Sequence, residues 1–122
     1  MRGGVSRVVI DASVGGAEYA DALLRNVENL RAALGPQGVE AEVVVYGKAL
    51  PMLLRAGNAA QASRMQKLAQ GGGVRFVACE NSMRRARVTR EALFPFAGTV
   101  DSGVAQLVRR QAAGWAYLKP GG

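Results

Sequence analysis

The sequence contains no histidine. Ser-His-Asp and Cys-His catalysis, HExxH zinc sites and histidine pH switches are therefore excluded. It contains a single cysteine, Cys79. That excludes an internal disulfide, a cysteine-rich zinc site and a CxxC redox pair. Aromatic residues make up only 6% of the chain. Of these few rings, Phe94, Phe96, Trp115 and Tyr117 are expected in the core or at subunit contacts. No apolar run approaches the ~20 residues of a membrane span. The stretch from Met1 to Asp11 has neither the apolar segment nor the cleavage site of a signal peptide, so a cytoplasmic location is expected.

What is present suits one globular α/β domain over residues 1–122. Hydrophobic residues are 49% and charged residues 20% of 122 residues, enough to bury a core without a metal or disulfide. Sixteen Lys/Arg face nine Asp/Glu, for a net charge of +7, and thirteen of the sixteen are arginine. Such a chain attracts anions, acidic partners or nucleic acid, and the charge alone does not choose among them.

Short β-branched runs alternate with amphipathic ones. Ser6 to Asp11, Val39 to Tyr46, Val74 to Cys79, Thr99-Val100 and Trp115 to Leu118 read as strands. Glu18 to Leu34 carries Ala20, Leu23, Leu24, Val27, Leu30 and Leu34 on one helical face. Lys48 to Arg55 reads as a short helix holding Pro51, and Ala59 to Gln70 as a longer one. Asn81-Ser82 offers N-cap chemistry to a helix from Met83 to about Val88, and Thr89 to a short turn before Pro95. Asp101-Ser102 caps a last helix whose inward stripe is read as Val104, Leu107, Val108, Gln111 and Ala112. Residues 119–122 read as a flexible tail. This alternation implies a mostly parallel five-stranded sheet with helices on both faces.

Ligands of open parallel sheets gather at the carboxyl ends of the strands. Asp11, Cys79 and Asp101 fall there. Cys79 stands between a strand end and a helix start, where free N–H groups stabilise a thiolate. Arg84 and Arg85, one turn on, would add positive potential. The other reading of Cys79 is a small buried hydrophobe. Met83 to Arg90 holds four arginines, which suit phosphate, RNA or an acidic partner, or simply a solvated helix face. No aromatics interleave them, which weakens a single-strand RNA reading. Gly15-Gly16 fits neither GxGxxG nor GxxxxGK[ST], and Glu18 would repel phosphate. Asp11 and Asp101 suit capping and turns better than a metal site, so no metal or cofactor is expected.

Two segments resemble the DsrE/DsrF-like family, which includes the TusD-type sulfur-relay subunits. They are Val77-Ala78-Cys79-Glu80-Asn81-Ser82-Met83-Arg84 and the ending from Val100 to Pro120, with its V-x-S-G-V and Q-x-x-G-x-x-Y-x-K-P pattern. The similarity is closest to the small stand-alone DsrE-like proteins. It implies a three-layer α/β/α fold and homo-oligomers, trimers or hexamers. It also implies that Cys79 carries a persulfide between a sulfur donor and an acceptor protein. Asn81, Ser82 and the backbone N–H groups after Cys79 are then candidate stabilisers of the anionic sulfur. The alternative is a non-enzymatic oligomeric module that binds an anionic small molecule, RNA or an acidic partner.

Overall fold

The structure, a computed structural model, describes residues 4–121. The first three residues of the N-terminal stretch and Gly122, half of the C-terminal glycine pair, lie outside them. Five strands form one sheet: β1 (Ser6–Ala12), β2 (Val39–Val45), β3 (Val74–Cys79), β4 (Gly98–Val100) and β5 (Ala116–Leu118). Their order is β4-β3-β2-β1-β5 and every pairing is parallel. The helices are α1 (Ala17–Leu34), α2 (Ala59–Gly71), α3 (Glu80–Ala86) and α4 (Gly103–Ala112). Two 3₁₀ segments, Gly47–Leu53 and Arg90–Ala92, complete the chain.

Strand alternation sends two different residue sets to the two sheet faces. Ile10, Val43, Val45 and Phe76 face Leu23, Leu24 and Val27 of α1, Met65 and Leu68 of α2, and Leu50 and Leu53 of the first 3₁₀ segment. Met83 of α3 joins the same core. The other face is thinner. Val9, Val44 and Val77 meet Leu107 of α4, flanked by Tyr46, Val100 and Trp115. The three layers are therefore unequal, with α4 the one helix on its side.

That asymmetry corrects the inward stripe read for α4. Its buried residues are Gly103, Gln106 and Leu107, while Val104 and Val108 are 59% and 66% exposed. Gln111 and Ala112 are exposed as well. The reason lies beneath the helix. Glu42, on β2, faces α4 and is fully buried. A buried carboxylate needs donors, and Gln106 Nε2 and the Arg110 guanidinium supply them at 2.7 and 2.9 Å. Arg110 also stacks over Trp115, 4.4 Å from the ring centroid. The helix turns its polar 106/110 edge inward, and the valines turn outward.

A second correction concerns α3. It begins at Glu80, with Cys79 itself as N-cap, rather than after Asn81-Ser82. Arg87, at φ 57°, ends it in the left-handed region. Thr89 does precede the expected turn, and Ser102 does cap α4 by accepting from the Ala105 N–H. The 118-residue span to Gly121 leaves Lys119 exposed but Pro120 buried. No helix among the described residues is long and apolar enough to cross a membrane.

Candidate functional site

The path of the chain sets the site. Strands β1, β2 and β3 are each followed by segments on the thicker side of the sheet. After β4 the chain crosses to the other side, through α4, and returns to β5 beside β1. So β3 and β4 are neighbours whose following helices leave on opposite faces. A crevice opens at such a reversal, beyond the carboxyl ends of the strands. Cys79, the last residue of β3, pairs in register with Val100, the last of β4. It stands in that crevice, between the first turns of α3 and α4.

Local contacts follow from this position. Cys79 Sγ accepts the Ser82 N–H at 3.4 Å. Burial by itself pushes the thiol up. The N–H groups of Ser82, Gly103 and Asn81 and the Ser82 hydroxyl outweigh it, and the thiol lies below its ordinary pKa. Two helix starts thus contribute to one sulfur. Ser82 also holds the neighbouring loop, since its Oγ accepts the Gly47 N–H at 2.8 Å. Glu80 accepts the Thr99 hydroxyl at 2.8 Å, which ties the start of α3 to β4.

Gly103 is required by close approach. A Cβ there would lie 3.0 Å from Tyr46 Cβ, 3.2 Å from Tyr46 Cγ and 3.3 Å from Cys79 Cβ. The absence of a side chain lets the first turn of α4 settle against the sulfur. Gly103 and Tyr46 did not emerge from sequence reasoning as site residues. The available signal for Gly103 was a glycine directly after an N-cap serine, in a helix that follows the strand beside Cys79.

The other residues singled out from the sequence divide. Ser82 and Cys79 are in contact. Asn81 contributes its backbone N–H, while its side chain accepts from the Arg84 guanidinium. Two expected stabilisers of the sulfur thus partner each other, because three residues of helix place them on one face. Arg85 lines an open cleft of 260 Å³ with Gly47, Lys48, Ser82 and Ala86.

Asp11 and Asp101 do not join the sulfur. Asp101 is exposed, binds Arg109 through both oxygens at 2.8 and 2.9 Å, and accepts the Ser102 N–H. The Arg109 guanidinium holds its carboxyl below the usual range. Asp11 is buried, 4% exposed, within a group of tyrosines. The Tyr117 hydroxyl donates to its carboxylate, and the Tyr19 hydroxyl to its backbone carbonyl at 3.4 Å. The bond to Asp11 pushes the Tyr117 phenol up to about 12. No group of three or more His, Cys, Asp or Glu able to hold a metal occurs among the described residues. Cys79 is only 5% exposed, so access to its sulfur is narrow.

An open parallel α/β protein with a hydrogen-bonded cysteine at its strand-order reversal is the class that these features define. The chain belongs to the DsrE/DsrF-like family, whose model matches residues 8–120. That family is associated with sulfur relay. A solved structure, the protein of unknown function MTH1491 from Methanobacterium thermoautotrophicum, is 36% identical. The match covers 94% of this chain and 99% of that one, with a TM-score of 0.85. The ychN protein from E. coli shares the fold at 14% identity and a TM-score of 0.71, over 95% of this chain and 99% of its own. No curated protein matches the chain.

Proposed function

We propose that the protein is a sulfane-sulfur carrier, with Cys79 as the residue that accepts and passes on the sulfur. The observation that carries this reading is the Ser82 N–H donated to Cys79 Sγ at 3.4 Å, at a strand-to-helix junction, where neighbouring N–H groups outweigh burial and lower the thiol pKa. A thiolate is the nucleophile of sulfur exchange. Loading is the attack of Cys79–S⁻ on the outer sulfur of a persulfide R–S–SH. It gives Cys79–S–SH and the leaving thiolate R–S⁻. Unloading is the same exchange in reverse sense: an acceptor thiolate takes the outer sulfur and Cys79–S⁻ is restored. No outside oxidant or reductant enters, and the chemistry needs no metal and no histidine.

The N–H groups serve both states. They favour the free thiolate, and they remain available to the negative charge of the bound persulfide. The family's association with sulfur relay supports the same reading.

The test is intact-mass analysis of the reduced protein after exposure to a low-molecular-weight persulfide. The wild-type chain is expected to gain one sulfur atom, reversibly with reductant, and Cys79→Ser to gain none. A wild-type chain that gains nothing, with a thiol slow toward alkylating reagents near neutral pH, would make Cys79 structural. It would shift the function to binding of anions without chemistry.

A further inference from the structure

The cleft beside the cysteine has an unbalanced charge. It lies between the first 3₁₀ segment and α3 and is lined by Gly47, Lys48, Ser82, Arg85 and Ala86. Two of these five residues are cations and none is an anion. Neither Lys48 nor Arg85 forms an ion pair among the described residues. Elsewhere on the surface some cations are taken by carboxylates: Arg7 by Glu40, Arg64 by Asp21 and Glu28, Arg109 by Asp101. Arg84, the nearest further arginine on α3, is occupied by Asn81.

Ser82 joins this cleft to the chemistry. Its amide donates to Cys79 Sγ at 3.4 Å, and its hydroxyl accepts from Gly47 on the far wall. A molecule seated against Ser82 is one residue away from the sulfur. Access is narrow, with Cys79 5% exposed. At 260 Å³ the cleft is below the ~300–1,000 Å³ of sites that take drug-sized ligands. A small molecule fits it.

We propose that this cleft selects a small anionic sulfur donor, a low-molecular-weight persulfide bearing a carboxylate. Lys48 and Arg85 hold the carboxylate while the outer sulfur meets Cys79. The inference rests on the carrier reading above and names the donor class for that site. The step balances as written there: Cys79–S⁻ bonds to the outer sulfur, the S–S bond of the donor breaks, and the carboxylate-bearing thiolate leaves.

The experiment compares two donors that differ in one charged group, the persulfides of mercaptoacetate and of mercaptoethanol. Loading of Cys79 is followed by intact mass at low ionic strength. Two cations at contact range of an exposed anion should favour the carboxylate donor about fivefold to tenfold. The preference should collapse in roughly 0.5 M salt, where the Debye length is only a few ångströms. The double variant Lys48→Ala/Arg85→Ala should bring the ratio of the two rates to about one, and Lys48→Arg/Arg85→Lys should keep it. Equal loading by both donors in the wild-type chain, or a preference that survives in the alanine double variant, overturns the proposal and leaves the carrier reading standing. No loading by either donor overturns both.

Discussion

Gly103→Ala should slow sulfur loading of Cys79 about tenfold near neutral pH while the protein stays folded. The added methyl would press on Tyr46 and Cys79 at 3.0–3.3 Å, against two side chains fixed at their Cβ atoms. Overpacking of this kind costs about 1–3 kcal/mol. Replacing glycine by alanine inside a helix returns up to about 1 kcal/mol. The net loss of stability is therefore small, and the strain is relieved by moving the first turn of α4 away from the sulfur. That movement withdraws the Gly103 N–H, one of the groups that lower the thiol pKa. Loss of one donor from a preorganised anion site commonly costs ~100-fold or more. Here the Asn81 and Ser82 groups remain, so a tenfold loss is the reasonable scale. The thiol should also titrate at higher pH than in the wild-type chain. A Gly103→Ala protein with a near-normal melting temperature that loads sulfur at the wild-type rate would show that α4 plays no part in the site.

Arg110→Ala should be the most damaging substitution to stability on the thin side of the sheet. It removes the closest cation from Glu42, whose side chain is fully buried. Leaving a buried charge without its partner costs about 3 kcal/mol, or roughly 10 °C in melting temperature for a chain of this size. Gln106 remains as a donor, and Arg75 lies at 3.5 Å but is largely exposed. The additional change Glu42→Gln should recover much of the loss, because it removes the orphaned charge.

The pH dependence gives a sharper check. In the wild-type chain, burial raises the Glu42 pKa, but the hydrogen bonds and charge of Arg110 and the Gln106 bond bring it below the ordinary value. A lowered folded-state pKa stabilises the fold above the unfolded carboxylate value of ~4.3, and that contribution fades as pH falls through the folded value. In Arg110→Ala the closest cation is gone, only the exposed Arg75 remains, and burial raises the pKa. Protonation then relieves the variant. The stability gap between the two proteins should be wide at pH 7 and narrow toward pH 4. Urea midpoints that show the same gap at both pH values would contradict the assignment of Glu42 as the cause.

Much of the fold was legible in the sequence because the signals were local. β-branched runs ended in glycine or polar residues, and α1 buries the expected Ala20, Leu23, Leu24 and Val27, although Leu34 at its end is 45% exposed. The inward face of α4 was not legible. Hydrophobicity favoured Val104 and Val108, but the deciding residue was Glu42, 64 positions from Gln106. A carboxylate on a distant strand overrode the local pattern. The cap of α3 was missed for a related reason. Asn81 and Ser82 are good cap residues, yet Cys79 ends a strand in extended geometry and its sulfur takes the role.

The candidate site divides along the same line. Cys79 and Ser82 could be named from a strand end followed by a helix start. Gly103 and Tyr46 depend on β3 lying beside β4 and on α4 crossing to the opposite face, which no local pattern encodes. Arg84 and Asp101 were plausible by position but are held by Asn81 and Arg109. Charge in the sequence counts arginines. Only the structure shows which of them are paired, as Arg64, Arg109 and Arg110 are, and that Arg85 lines one cleft with Lys48.

The pH dependence of Cys79 alkylation in the native protein tests the central claim most directly, that the fold lowers the pKa of this thiol. The rate should rise to its plateau with an inflection below the ~8.5 of an unperturbed thiol, because the Ser82, Gly103 and Asn81 N–H groups outweigh burial. An inflection at or above that value, or a thiol that reacts only after denaturant is added, would contradict it.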